Sequence, residues 1–167
     1  MENIECRGEK SMRTDKENYY LNIAQVVLQR GTCLRRNYGA VIVKNDEIIS
    51  TGYTGSPRGK PNCCDVGVCK REDLNVPQGE RYELCHSVHA EQNAIISASR
   101  RDMIGATLYL VGVDSKGFLV DAKPCLLCER MIINAGIEKV IARNSKSKKE
   151  VYYYQASKRL KEGEPNG

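Results

Sequence analysis

The strongest constraint on this chain comes from two short motifs that together form one pattern along the sequence. The first, Ser-Val-His-Ala-Glu-Gln-Asn-Ala, contains His89 and Glu91, and the second, Pro-Cys-Leu-Leu-Cys, contains Cys125 and Cys128. A catalytic zinc site has three protein ligands and one open position for water. His89, Cys125 and Cys128 supply three such ligands, and Glu91 remains free to carry protons. The pattern predicts a catalytic zinc site with a carboxylate beside it.

The residues around both motifs predict that each motif opens a helix. Small and apolar residues recur at helical spacing after His89, which places His89 and Glu91 in the first turn of one helix. Residues two apart do not share a helix face, so Glu91 is not expected to bind the metal. Pro124 suits the first position of a second helix, on which Cys125 and Cys128 share a face. Helix N-termini lower thiol pKa values and so favour thiolate ligands.

Each motif taken alone has a simpler interpretation. A His-x-Glu pair is common on helix surfaces, and Cys-x-x-Cys also occurs as a redox pair or as half of a structural zinc site. The two motifs together, in this order and each at the start of a helix, favour the catalytic interpretation.

The composition is typical of one globular domain in a reducing compartment. Of the 167 residues, 41% are hydrophobic and 28% are charged, which is enough for one core. The sequence shows no membrane-spanning run and no signal peptide, so we expect a cytoplasmic location. Eight cysteines there indicate metal binding rather than disulfides. We assign residues 1–167 to a single domain, with a core at 14–143 and a basic C-terminal tail at 144–167.

The charge distribution argues against a nucleic-acid-binding body. The formal net charge is +5, of which +4 lies in residues 143–167. The rest of the chain is therefore close to neutral and lacks the broad basic surface of proteins that bind DNA or RNA. We expect neither a nucleic-acid partner nor a membrane partner.

Periodicity and turn residues predict strands and helices that alternate along the chain. A helix is expected between Thr14 and Arg30, with Thr14 or Asp15 as its N-cap. The other predicted elements are a β-hairpin at 39–43 and 47–51, a long loop at 55–85, strands at 106–111, 139–142 and 151–154, and a turn or small hairpin at 114–121. This order predicts an α/β fold: a three-layer α/β/α sandwich around a mixed sheet of about five strands.

The chain resembles a known family, the zinc-dependent cytidine/deoxycytidylate deaminases, and within it the deoxycytidylate (dCMP) deaminases. The pairing of H-x-E with P-C-x-x-C is their signature. Five segments follow one another as in that family, at residues 33–36, 39–43, 49–57, 89–94 and 124–128. The resemblance implies a cytidine-deaminase-like fold, hydrolysis of dCMP to dUMP and ammonia for dTTP supply, commonly a hexamer, and regulation by dCTP and dTTP.

The resemblance also implies roles for individual residues. Zinc on His89, Cys125 and Cys128 would activate water, and Glu91 would carry a proton to N3 of the pyrimidine and then assist the leaving amine. The backbone of Ala90 would position the base carbonyl.

Other substrate contacts are predicted around the same site. Thr54 stands where many family members have Asn, and the stretch 112–122 is longer than in simpler members. Both differences bear on substrate choice. Bidentate arginines suit a 5′-phosphate, and Arg35 and Arg36 are the main candidates, with Arg58 and Arg81 also near. Arg100, placed on the catalytic helix, is a candidate for effector binding because a similar phage enzyme has an arginine there.

Further cysteines suggest a second metal. Some phage relatives hold a second zinc with cysteines equivalent to Cys33 and Cys63, and a structural zinc needs four ligands. Cys69 and Cys85 would complete the set, with Cys64 or His86 as substitutes. The alternative is that these are reduced cysteines that pack as small apolar residues. We favour one catalytic and one structural Zn²⁺.

Two other functions remain open on the sequence alone. A deaminase of another substrate, such as cytidine, a blasticidin-like compound or a tRNA adenosine, would use the same motifs. A zinc module that only binds a partner would also use the metal ligands, but it would have no need for Glu91.

Overall fold

The computed structural model describes residues 13–154, and the elements are as follows. In chain order they are α1 (Lys16–Leu28), β1 (Arg36–Lys44), β2 (Glu47–Tyr53), α2 (Cys63–Val66), α3 (Lys70–Asp73), a 3-10 helix (Tyr82–Leu84), α4 (Ala90–Ile96), α5 (Arg100–Met103), β3 (Thr107–Asp114), β4 (Leu119–Val120), α6 (Leu126–Ala135), β5 (Lys139–Arg143) and β6 (Lys149–Tyr153). No helix within this range is long and apolar enough to cross a membrane.

The strands form one mixed sheet in the order β2-β1-β3-β5-β6, and β4 pairs with β3 at the side. β1 pairs antiparallel with both β2 and β3, β3 pairs parallel with β5, and β6 closes the sheet antiparallel to β5. A parallel pair needs a crossover connection, and the chain between β3 and β5 includes α6.

One face of the sheet is covered by α1. The Asp15 carboxylate caps this helix by accepting a hydrogen bond from the Asn18 N–H at 3.0 Å, as predicted for Thr14 or Asp15. The buried side of α1 packs against alternate residues of the sheet, since successive strand residues face opposite sides. This cluster comprises Tyr20, Leu21, Ala24, Leu28, Val41, Val43, Tyr109, Val111 and Ile141.

The opposite face is covered by α4 and α6. Their buried residues are mostly small near the sheet, which lets both helices lie close to it. This second cluster includes Ala40, Ile42, Ala90, Ala94, Leu108, Leu110, Cys128, Ile132 and Ala135. Helices on both faces of a mixed sheet make three layers, so the predicted α/β/α sandwich of about five strands is confirmed.

Several local predictions are refined by the structure. The loop at 55–85 contains three short helices that periodicity did not indicate. The small hairpin predicted at 114–121 is present, since β4 pairs with β3. β6 extends the sheet to Tyr153, beyond the expected core end at 143. The tail from residue 155 onward lies outside the described residues, and the division into core and tail stays a prediction.

Gly52 allows α4 to lie directly on β2. A Cβ at this position would overlap the carbonyl oxygen of Ala90 and the amide nitrogen of Ala94. Gly52→Ala is therefore expected to destabilise the fold by about 1–3 kcal/mol, because backbone must move. Since α4 begins just after His89, turnover per folded molecule should fall as well. Urea unfolding and turnover rates, measured on the same sample, test this expectation.

Gly39→Ala provides the matched control for that experiment. A Cβ at Gly39 would overlap the backbone of α1 on the other face of the sheet, at Ala24 and Leu28. Gly39→Ala should lose comparable stability but keep its turnover per folded molecule. Equal stability and turnover in Gly52→Ala and wild-type protein would refute the close approach of α4.

Candidate active site

Three side chains converge at the end of the sandwich where α4 and α6 begin. His89 Nδ1 lies 3.5 Å from Cys125 Sγ and 3.4 Å from Cys128 Sγ. Their ligand atoms all lie within 4.8 Å of one another. Tetrahedral zinc with bonds of about 2.0 Å to nitrogen and 2.3 Å to sulfur separates N and S by roughly 3.5 Å. The donor set and its spacing therefore fit zinc.

The starts of two helices hold these ligands. Residues Gly55 and Val88 form an isolated antiparallel bridge, which fixes the chain as it enters α4. His89 is the N-cap of α4, and its backbone N–H donates to Gln92 Oε1 at 3.0 Å. Cys125 is likewise the N-cap of α6, and Cys128 lies in its first turn.

The expected helix start at Pro124 is wrong by two residues. α6 begins at Leu126, so Pro124 precedes the helix and Cys125 caps it. α4 begins at Ala90, one residue after His89, so His89 caps this helix instead of lying in its first turn. An N-cap residue has extended backbone angles, and its side chain turns back over the helix end. This geometry brings Cys125 and Cys128 together.

The two thiols of the ligand group titrate as a coupled pair. Hydrogen bonding with Cys128, reinforced by His89, lowers the pKa of Cys125 to about 4. The interaction with Cys125 and burial raise the pKa of Cys128. Metal binding requires both thiols to lose their protons.

Glu91 is the buried carboxyl group beside this cluster. Only 5% of the residue is exposed, and burial raises the pKa of its carboxyl group. A buried carboxyl with a raised pKa next to a metal site suits proton transfer near neutral pH.

A cavity of about 380 Å³ opens in front of the cluster. Among the predicted substrate contacts, Arg35, Arg36 and Thr54 line it together with His89 and Glu91. Ala90 is fully buried and is not part of this lining, so its predicted backbone role stays a prediction.

The other two arginine candidates do not line the cavity. Neither Arg58 nor Arg81 belongs to its described lining. Arg81 instead forms an ion pair with Glu83.

Thr54 is buried at the end of β2. Its hydroxyl oxygen accepts a hydrogen bond from the Tyr38 N–H at 3.1 Å, and its own N–H donates to the Tyr38 carbonyl at 3.1 Å. Thr54 therefore joins β2 to β1 while lining the cavity. Its contact with a substrate stays a prediction.

The structure adds lining residues that the sequence analysis missed. Arg71 is 7% exposed, and its guanidinium lies 4.9 Å from the Tyr82 ring centroid. The Tyr82 ring packs edge-to-face on His89, with centroids 5.0 Å apart. Lys123 also lines the cavity. The loop gave no periodic signal for Arg71 and Tyr82, but Lys123 stands two residues before Cys125 and was detectable by spacing.

The remaining cysteines line the same cavity without forming a second tight group. Cys33, Cys63, Cys69 and Cys85 are free thiols in its wall, next to His86. Within residues 13–154, the His89 cluster is the one group of three or more such ligands that meets the 4.8 Å spacing. Cys64 is exposed. The structural zinc stays a prediction.

Arg100 does not lie on the catalytic helix, contrary to the sequence-based placement. α4 ends at Ile96, and Arg100 begins the separate helix α5, which Ser99 caps. Arg100 donates to the Asn134 carbonyl at 2.9 Å and lines a shallow groove that also contains Arg130. Its effector role stays a prediction.

Comparison with known proteins agrees with this site. Residues 14–144 match the family described as the cytidine and deoxycytidylate deaminase zinc-binding region. The chain is 38% identical to the deoxycytidylate deaminase of Mycobacterium phage D29 over 134 residues, which cover 77% of this chain and 94% of that protein. It is 35% identical to that of Enterobacteria phage T4 over 157 residues, covering 75% and 76% of the two chains.

A solved structure is similar as well. The dCMP deaminase from cyanophage S-TIM5, in complex with dCMP and dUMP, superimposes with a TM-score of 0.55 at 28% identity, covering 79% of this chain and 85% of that one. The matched region contains both motifs and the whole ligand cluster. The chain therefore belongs to the cytidine and deoxycytidylate deaminase family.

Proposed function

We propose that this chain hydrolyses dCMP to dUMP and ammonia. The observation that carries the proposal is the joint placement of a three-ligand metal cluster, a buried carboxyl group and two arginines on one cavity. The relatives from phages D29 and T4 are deoxycytidylate deaminases, and the S-TIM5 structure holds dCMP and dUMP.

The chemistry follows from the groups around the cavity. His89, Cys125 and Cys128 would hold zinc, which acts as a Lewis acid and lowers the pKa of water. In the net reaction a C4–O bond forms, the C4–N bond breaks, and ammonia leaves. Glu91 accepts the proton that water loses, delivers it to N3 of the pyrimidine, and then assists protonation of the leaving amine. Burial of Glu91 favours its protonated form, which suits the donor half of this cycle.

The 5′-phosphate is assigned to the arginines of the cavity wall. Arg35 Nη1 is buried and has no hydrogen-bond partner within residues 13–154. Arg35 as a residue lines the cavity, and a guanidinium in the cavity wall suits charge-assisted hydrogen bonds to a phosphate. Arg36 and Lys123 add positive charge to the same wall. A nucleoside without phosphate would leave this charge unmatched.

Several further properties belong to this proposal. A structural zinc on Cys33, Cys63, Cys69 and Cys85 is supported by their common location in the cavity wall. Binding of dCTP or dTTP near Arg100 is supported by the second guanidinium, Arg130, in the same groove.

Assembly and location are proposed on related grounds. A homo-oligomer, commonly a hexamer in the family, is supported by exposed apolar side chains on α4 and α6, Ile96 at 72% and Leu126 at 76%. A cytoplasmic location follows from a mononucleotide substrate.

Ammonia release from dCMP, dCTP, deoxycytidine and cytidine, each with and without dCTP or dTTP as an effector, tests the proposal. We expect turnover of dCMP and a kcat/KM for deoxycytidine that is lower by at least about 10²-fold, because the phosphate contacts are charge-assisted. Equal turnover of deoxycytidine would favour a nucleoside deaminase. A zinc-loaded chain that deaminates none of these compounds would instead point to another substrate, such as a tRNA adenosine, or to a non-catalytic module.

A further inference from the structure

Glu72, in the long loop, forms an ion pair with Arg35, the principal candidate for binding the phosphate. Glu72 lies on α3, and its Oε1 is 3.3 Å from Arg35 Nε. This ion pair uses the Nε side of the guanidinium. The terminal Nη1 is buried and has no hydrogen-bond partner among the residues that the structure describes. A guanidinium has five N–H donors in a fixed plane, so a partner at Nε determines where the other donors point.

The neighbouring arginine is held by the same loop. With the Gln78 amide oriented to satisfy both groups, its side-chain oxygen accepts from Arg36 Nη1 at 2.7 Å and from Nη2 at 3.2 Å. Two consecutive arginines of one wall are therefore each bound by a residue of the segment 72–78.

Hydrogen bonds from the buried Arg71 side chain stabilise this segment. Arg71 Nη2 donates to the Pro77 carbonyl at 3.1 Å and to the Glu80 carbonyl at 2.6 Å. Arg71 is buried, and its guanidinium also lies over the Tyr82 ring, which contacts His89. Because Glu72 is adjacent to Arg71, its position is fixed relative to the metal cluster. The loop can thus set the orientation of Arg35 before a nucleotide binds.

We propose that Glu72 is a positioning residue for substrate binding: it holds Arg35 through Nε, so that the guanidinium stays in the cavity wall where the phosphate of the nucleotide binds. This inference rests on the proposed function. An arginine already held in its binding orientation loses less conformational freedom when the nucleotide binds, so the gain appears in substrate affinity rather than in the chemical step.

The pair is suited to mutation because it contributes little to folding. The Glu72 side chain is 58% exposed and the Arg35 side chain 25%. Exposed ion pairs add little to stability, so a change at Glu72 should leave the fold intact. Glu80, farther along the same loop, is also exposed, does not line the cavity, and provides a control for the loss of one negative charge.

The test compares Glu72→Gln with Glu80→Gln in steady-state kinetics of the zinc-loaded protein with dCMP. For Glu72→Gln we expect KM to rise roughly 3- to 10-fold with kcat nearly unchanged, as for one released side chain. Glu80→Gln should leave both constants close to wild-type values. In an Arg35→Ala background, Glu72→Gln should cause no further rise in KM, since Glu72 acts through Arg35.

Each other outcome identifies a different error. A lower KM in Glu72→Gln would mean that Glu72 competes with the phosphate for Arg35. An equal rise in KM with and without Arg35 would make Glu72 only a support of the loop. Both results would overturn the inference while dCMP turnover by the wild-type chain still upheld the proposed function. Absence of dCMP turnover in the wild-type chain would remove the proposed function and this inference together.

Discussion

Glu91→Gln is expected to lower kcat for dCMP by roughly 10²- to 10⁴-fold while the protein keeps its fold and its metal. In the proposed mechanism the buried carboxyl group of Glu91 carries the proton, and the amide has nearly the same shape but cannot exchange protons. Because Glu91 is not one of the three ligands, zinc content should be unchanged. Ammonia release, zinc per chain and the thermal unfolding midpoint on one preparation measure all three quantities.

Glu47→Gln serves as the matched control for this variant. It makes the same chemical change at an exposed position at the start of β2. Its turnover should equal that of wild-type protein. Wild-type turnover in Glu91→Gln would remove Glu91 from the mechanism, and loss of zinc in that variant would show that the carboxylate supports the metal instead.

Cys128→Ala should abolish both metal binding at the cluster and turnover. Cys128 is fully buried, and replacing it with Ala leaves only two of the three ligands of the cluster. Loss of one of three protein ligands weakens zinc binding severely, because each thiolate–zinc bond contributes directly. Zinc content should fall by one equivalent per chain relative to wild-type protein.

Ile132→Val, on the same helix as Cys128, is the control that distinguishes loss of the metal from loss of stability. Ile132 is also fully buried on α6, and this change is expected to reduce stability by about 0.5–1.5 kcal/mol while all three ligands remain. It should keep its zinc and its turnover. If Cys128→Ala retains the zinc of wild-type protein, the metal lies elsewhere.

The site motifs were predictable because metal chemistry restricts residue type and spacing. Only a few side chains bind zinc, and the order and spacing of His89, Cys125 and Cys128 are specific to a zinc site. The layers were predictable for a similar reason, since the continuous apolar run of the buried strand β1 and the helical spacing in α1 are both local sequence signals.

The loop that completes the cavity was not predictable in the same way. α2 and α3 have only four residues each, too few for a periodic pattern. The contacts of Arg71 and Glu72 join positions in a loop and in the segment before β1, and no local signal encodes such pairings. Their roles depend on tertiary structure.

The misplaced Arg100 has a different cause. The chain between α4 and α5 was treated as one helix because small and apolar residues continue through it. Ser99 accepts a hydrogen bond from the Asp102 N–H, which marks a new helix start. Ser followed three residues later by an acidic residue is a capping signal, so this boundary was visible in the sequence.

The most direct test of the account is dCMP turnover as a function of zinc at the cluster. The metal would be removed with a chelator and returned in measured equivalents, while dUMP and ammonia are followed. The account predicts that turnover disappears with the metal and returns in proportion to zinc bound, and that Cys128→Ala shows no such return. A folded chain that holds zinc on His89, Cys125 and Cys128 yet converts no dCMP would contradict it.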